Sequence, residues 1–254
     1  MTDHVEKVQS DVQVTGDSSS GSYHLSIYRF KPDDAQAKPY MQTFMVEKNK
    51  VSGVMLLDLL RAVKRMDPSL SFRFSCGAGV CGSDGMNING KNGLACVTQI
   101  SHLPDKVVLR PLPSMPIVRD LIVDLTQFYN QYNSVKPWLV GDNSSNIENI
   151  QSIDERKKLD GLYECILCAC CTTSCPSYWW NPDKFAGPAA LLWACRFIVD
   201  SRDTTKEDRL KALEGLYALY RCRSIMNCTN SCPKGLDPAG AIADIRREVI
   251  SGEG

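Results

Sequence analysis

Most of the twelve cysteines in this 254-residue chain fall into three groups, and the densest runs from Cys165 to Pro176 as C-I-L-C-A-C-C-T-T-S-C-P. Taken as Cys165, Cys168, Cys171 and Cys175 followed by Pro176, it reads C-x2-C-x2-C-x3-C-P. That spacing lets three thiolates grip three corners of one cubane iron–sulfur cluster from a single turn of chain, while the fourth, turned away by the proline, faces a second cluster. A returning run is present at Cys222, Cys228, Cys232 and Pro233. Zinc is the competing use of clustered cysteines, but it takes four ligands, commonly as two C-x2-C pairs, and has no use for such a run.

Aligned on the same pattern, the second run has Cys222, then Ile225 where a cysteine is expected, then Cys228 and Cys232. Crossing the fourth ligands over gives one centre Cys165, Cys168, Cys171 and Cys232, four thiolates suited to [4Fe–4S]. The other centre receives only Cys175, Cys222 and Cys228, which suits [3Fe–4S], with Ile225 at the missing corner. Cys170 and Cys195 are left over, and Cys195, on a helical apolar face, reads as an inert buried thiol.

In the first half, Cys76 and Cys81 are spaced C-x4-C and Cys96 follows. Plant-type [2Fe–2S] proteins use C-x4-C-x2-C and a distant fourth cysteine. The slot that should hold the third cysteine holds Asp84. A carboxylate oxygen can ligate iron, so Asp84 is expected as the third ligand; the other reading is a turn aspartate beside a damaged or absent cluster. Gly77, Gly79, Gly82 and Gly85 let backbone N–H groups approach the sulfides. His4, His24 and His102 are not at ligand spacing, which argues against a Rieske-type centre. No nucleophile–base pair, phosphate loop or dinucleotide fingerprint accompanies the cysteines. The expected chemistry is one-electron transfer, with no bond made or broken by the chain itself.

Length and composition fit two domains of ordinary size. Lys plus Arg and Asp plus Glu both number 29, so no bulk charge points to nucleic acid or anionic lipid. No apolar run is long enough to span a bilayer, and the acidic-polar N-terminus resembles neither a secretory nor a transit segment. Without a signal peptide, twelve cysteines imply metal rather than disulfides.

The elements that position these residues are legible in part. Residues 1–21 read as a flexible leader. Tyr23, Leu25 and Ile27 alternate as a strand, and Met41–Val46 forms a second. Leu56, Leu59, Leu60 and Val63 recur at helical spacing until Asp67-Pro68. A cysteine loop from Ser75 to Gly85 follows, then an Asn89-Gly90 hairpin turn returning through Leu94 to Thr98, then a last strand, Val107–Leu109. Strands over one helix with a cluster loop between make a β-grasp, expected over 22–117, with Pro111, Pro113 and Pro116 at its exit. From Val118 to the end, 118–254, helices are expected. One carries Leu121, Leu125, Phe128 and Tyr129, and the stretch Gly141–Ile150 is a polar loop. Others start at the Ser152/Glu155 capping box, span Leu191–Ile198, carry Leu210, Leu213, Leu216 and Tyr217, and run from Asp237-Pro238 to Ile250. The fold class is α+β, a [2Fe–2S] ferredoxin-like domain before a helical dicluster domain.

The stretches S-C-x-x-G-V-C-G-S-D-G-M-N-I-N-G-K-N-G-L-A-C, L-D-G-L-Y-E-C-I-L-C-A-C-C, S-C-P-S-Y-W-W-N-P-D-K and S-I-M-N-C-T-N-S-C-P-K-G-L closely resemble the iron–sulfur subunit of succinate dehydrogenase, and the likeness runs from Tyr23 onward. Asp84 looks like a variant found in some bacterial members. The resemblance implies a flavoprotein partner that oxidises succinate with FAD, a membrane anchor that binds ubiquinone, often with haem b, and a peripheral place on the cytoplasmic face of the bacterial inner membrane. Electrons would pass from FAD to [2Fe–2S], [4Fe–4S], [3Fe–4S] and quinone. It also places a quinone site at Pro176, Ser177, Trp180 and Ile225, with the Trp180 indole N–H towards the headgroup. Taken alone, Trp179 and Trp180 would be packing residues; the motif shifts that for Trp180.

Two positions depart from the family. Arg223 stands where a histidine is common, replacing a group that exchanges protons near neutral pH with a fixed cation. Gly77 and Ala78 replace an Arg and a Glu, removing charge beside the [2Fe–2S] loop. Fumarate reductase shares the same wiring, but Asp84 and the Trp179-Trp180 pair match the dehydrogenase side better. A free ferredoxin-like carrier would be acidic, whereas this chain is neutral and carries an apolar end at Tyr178, Trp179 and Trp180.

Overall fold

The computed structural model describes residues 21–33, 36, 38–141, 148–215 and 218–252. Apart from Gly21, the expected leader lies outside the described residues, as do Leu216, Tyr217 and part of the 141–150 loop. In the first half β1 (Ser22–Arg29), β2 (Tyr40–Glu47), β3 (Gly85–Ile88), β4 (Lys91–Leu94) and β5 (Lys106–Arg110) form one sheet in the order β2-β1-β5-β3-β4. β1 and β5 run parallel at its centre, and the other pairs are antiparallel. The register sets Leu25 beside Val107 and Ile27 beside Leu109. All four side chains are buried with Leu56, Leu59, Leu60 and Val63 of helix α1 (Leu56–Met66) in one core. Each such side chain contributes about 1.5–3 kcal/mol on burial. This is the β-grasp expected from the alternation. β4 stops at Leu94 rather than continuing to Thr98: residues 95–97 turn, and the Ala95 and Thr98 carbonyls accept the N–H groups of Leu57 and Leu56 at the start of α1.

The stretch after Val118 differs from the expected helix. β6 (Ile117–Arg119) and β7 (Ile122–Val123) make a hairpin, and α2 (Thr126–Ser134) begins only after it. Asp120 is the cause. Its φ of 47° turns the chain, and its buried carboxylate accepts hydrogen bonds from Arg29 Nε at 3.1 Å, Phe30 N at 2.9 Å and Ser71 N at 2.8 Å. Leu121 therefore joins the β-grasp core instead of a helical face.

The second half is helical: α3 (Ile153–Lys157), α4 (Cys170–Thr173), α5 (Pro176–Trp180), α6 (Gly187–Ile198), α7 (Lys206–Leu213), α8 (Asn227–Asn230) and α9 (Pro238–Gly252). The capping box forms as read, with Glu155 N donating to Ser152 Oγ at 3.2 Å and Ser152 N to Glu155 Oε2 at 2.8 Å. Leu191, Leu192 and Ile198 of α6 share a core with Ile242, Ile245 and Val249 of α9. A buried ion pair ties α7 to the segment after α2. Arg209 meets Asp203 at 2.8 Å and donates to the carbonyls of Val135, Lys136 and Trp138. Among the described residues no helix is long and apolar enough to cross a membrane.

Candidate metal centres

The two cysteine runs adopt the same local backbone. Leu167 and Ala169 sit at positive φ (54° and 63°), and so do Ser224 and Met226 at the corresponding places of the second run (53° and 69°). Left-handed conformations are costly for residues with a Cβ. In an alternating arrangement they turn successive backbone N–H groups towards a common centre, a device suited to sulfide and thiolate. Ser224 N donates to Cys222 Sγ at 3.4 Å, and the Leu167 N–H meets Cys165 in the same way. α4 and α8 follow at matching positions, and each leads to a Cys-Pro pair.

Two cavities result. The first is lined by Cys165, Cys168, Cys171 and Cys232. The second is lined by Cys175, Cys222 and Cys228, with Ile225 on its wall. Each cavity thus takes a thiol from the other run. Among the described residues no three His, Cys, Asp or Glu side chains crowd one point as ligands of a single ion would. Ligands of a cluster bind different irons and need no such convergence. Burial pushes the thiols of Cys165, Cys171, Cys175 and Cys228 upward, so loading metal would displace their protons. Cys170 is fully buried on α4, with its sulfur towards Gly85, and Cys195, buried on α6, is pushed up to about 12 by burial.

In the first half, the loop from Ser75 to Gly85 wraps its own cysteines. Cys76 Sγ accepts the N–H groups of Ala78 at 3.3 Å and Val80 at 3.4 Å, and Cys81 Sγ accepts that of Cys76 at 3.5 Å. The Ser83 hydroxyl and N–H beside Cys81 pull its thiol down to about 7, whereas burial and the neighbouring Asp84 push Cys96 up to about 12. Asp84 is buried beside Cys96. Its Oδ2 accepts the Cys96 N–H at 2.5 Å, while its Oδ1 is buried without a partner. An unpaired buried carboxylate oxygen costs about 1–3 kcal/mol or more. Coordination to iron would satisfy it, so the donor set fits a cluster held by Cys76, Cys81, Asp84 and Cys96.

On α5 the aromatic pair splits. Trp179 Nε1 donates to the Thr173 carbonyl at 2.6 Å, which makes Trp179 a brace. Trp180 is 73% exposed, and its indole N–H has no partner among the described residues. Pro176, Ser177, Ile225 and Arg223 line the cavity itself, with Ile225 and Arg223 at its exposed side. Gly77 and Ala78 are exposed on the first loop beside Phe74. Sequence reasoning passed over Asn92, which is buried on β4 and joins the two halves; its one signal was the alternation that places it on the same side as Leu94.

Comparison with known proteins finds iron–sulfur domains in both halves. Residues 24–130 match the family model of a 2Fe-2S iron-sulfur cluster binding domain, and residues 164–237 that of a 4Fe-4S dicluster domain. The chain is 59% identical over 227 residues to the succinate dehydrogenase iron-sulfur subunit of Coxiella burnetii, covering 89% of this chain and 96% of that protein. A chain of the Mycobacterium smegmatis Sdh1 complex in the apo form shares the fold, with a TM-score of 0.82 at 23% identity over 92% of this chain and 97% of that one. A hypothetical protein from Helicobacter pylori overlaps more loosely, with a TM-score of 0.55 at 16% identity over 91% of this chain and 40% of its own. With its [2Fe–2S] and [4Fe–4S] cluster-binding domains, the chain belongs to the succinate dehydrogenase iron–sulfur subunit family and is the electron-transfer subunit of such a complex.

Proposed function

We propose that the chain relays electrons from the FAD of a flavoprotein succinate dehydrogenase subunit to ubiquinone at a membrane anchor, on the cytoplasmic face of a bacterial inner membrane. Cys76, Cys81, Asp84 and Cys96 would hold [2Fe–2S]. Cys165, Cys168, Cys171 and Cys232 would hold [4Fe–4S], and Cys175, Cys222 and Cys228 would hold [3Fe–4S]. When bound, such clusters supply one-electron redox chemistry. The chain's part is to fix their places, exclude water and present an exit. The exit would be the open side of the second cavity, where Ile225 and Met226 are exposed, together with the exposed Trp180 at the end of α5, apolar side chains suited to a permanent interface. Trp180 would donate its indole N–H, which has no partner among the described residues, to the quinone headgroup, with Pro176, Ser177 and Ile225 as walls. Arg223, a fixed cation beside the cavity, cannot relay protons there. A haem b in the anchor belongs to the same reading.

The observation that carries the three-iron assignment is Ile225. It occupies the place of Cys168 in a backbone that otherwise repeats the first run down to its positive φ angles. An apolar side chain cannot coordinate iron, so that corner should stay empty. Oxidised [3Fe–4S] is paramagnetic, whereas oxidised [4Fe–4S]2+ is EPR-silent. The oxidised wild type should therefore show an EPR signal that disappears in Ile225→Cys, with iron content raised by about one atom. An oxidised wild type lacking that signal would sink the assignment.

A further inference from the structure

The two halves of the chain touch through backbone. A Cβ on Gly82 would stand 2.8 Å from the Ile166 carbonyl oxygen and 2.9 Å from Cys168 Cβ, and one on Gly85 would stand 2.9 Å from the Cys168 carbonyl oxygen. The loop bearing Cys81 and Asp84 therefore lies directly on the loop bearing Cys168. Glycine contacts permit this approach, but they do nothing to fix its register.

Asn92 supplies the register. It stands on β4 between the Asn89-Gly90 turn and Cys96, and it is 4% exposed. Its Nδ2, with two hydrogens, stands 2.8 Å from Ser174 Oγ, 2.9 Å from Thr173 Oγ1 and 3.2 Å from the Cys170 carbonyl oxygen, so one hydrogen is shared between two acceptors. Its Oδ1 accepts the Asn87 Nδ2 at 2.8 Å, which fixes the amide's orientation. All three acceptors lie on α4 or the residue after it, and that short span joins the cavity of Cys171 to the cavity of Cys175. Sliding one half over the other would strand a buried amide, which makes the pairing a strong constraint.

We propose that Asn92 is a positioning residue for electron passage: it touches no cluster ligand's sulfur, but it sets the distance and orientation between the Asp84 centre and the Cys168 centre. This rests on the cluster assignments proposed above.

The test uses the assembled complex with Asn92→Ala and, separately, Ser174→Ala, which removes one of the three acceptors. Iron and sulfide content and the EPR line shape of each centre establish that the clusters are in place. Two further measurements bear on the role. One is relaxation enhancement of the [2Fe–2S] signal in the fully reduced protein, which reports its distance to the neighbouring paramagnet. The other is the rate at which an electron delivered by a light-triggered reductant passes from the first centre to the second. Asn92→Ala should keep its iron and line shapes, lose part of the enhancement and slow the transfer. Amides of residues 170–174 should exchange roughly tenfold faster, as expected for loss of a buried hydrogen-bonding group. Ser174→Ala should shift each reading less, in the same direction. An Asn92→Ala protein with full iron and unchanged enhancement and transfer rate overturns the proposal, leaving Asn92 as a brace of its own hairpin. If Asn92→Ala loses iron, Ser174→Ala decides on the same two readings. Absence of the cluster signals from the wild type is a separate failure: it overturns the assignments, and this role with them, before any variant is made.

Discussion

At Asp84 a single carboxylate has two tasks, one for each oxygen. One oxygen takes the Cys96 N–H and so shapes the turn, while the other is left bare in a buried place. We expect Asp84→Ala to lose or weaken the [2Fe–2S] centre and Asp84→Cys to retain it, since the thiolate restores C-x4-C-x2-C. Reduced-state EPR and iron content decide, and an unchanged signal in Asp84→Ala would make Asp84 a turn residue only. The tryptophans separate in the same way. Trp180→Leu should slow quinone reduction by the equivalent of about 1–3 kcal/mol and spare succinate oxidation with an artificial acceptor. Equal loss in both assays would place the quinone elsewhere. Trp179→Leu should instead loosen the fold, because its N–H is already given to Thr173. Spacing alone made the cysteines legible, since ligand geometry is local in the chain. It could not separate Trp179 from Trp180, whose difference lies in one hydrogen bond to a carbonyl.

Among the elements, those built by short-range pattern were readable: the alternation of β1, the apolar stripe of α1 and the Ser152 capping box. The β6–β7 hairpin was not, because its cause is an Asp120 partner 91 positions away, Arg29. The same holds for the anchor of α7. Burial pushes the Asp203 carboxyl up, but the Arg209 guanidinium, the Val140 N–H and Thr205 outweigh it and hold it at about 2. A depressed carboxylate contributes stability that is fully present above the ordinary aspartate range and is lost as pH falls towards 2. Asp203→Asn should therefore lower stability at neutral pH and flatten the acid limb of a melting-temperature profile. Asp203→Ala, which strands a buried guanidinium, should cost about 3–5 kcal/mol. A wild-type profile with the same acid slope as Asp203→Asn would show the pair to be inert.

For the molecule as a whole, the crossed lining of the two cavities has a consequence for how the protein is made and how it fails. Cys232 belongs to the cavity of the first run, and Cys175 to that of the second. The intervening chain, with α5, α6 and α7, is thus closed into a loop pinned at both ends. Neither cavity is complete until that loop has folded, because the first gains Cys232 only after the second run has left the ribosome. Filling either centre then prepays the loop-closure entropy of the other. Iron should accordingly leave the two dicluster centres together, in one step, when chelator is titrated into gently destabilised protein, with the [2Fe–2S] signal following a separate course. Two well-resolved steps for the dicluster pair would contradict this. The arrangement would behave as a padlock with two shackles on one bar: oxidative loss at the exposed Ile225 end would unlock the buried centre as well, and damage on the proposed quinone side would become a fault of the whole relay.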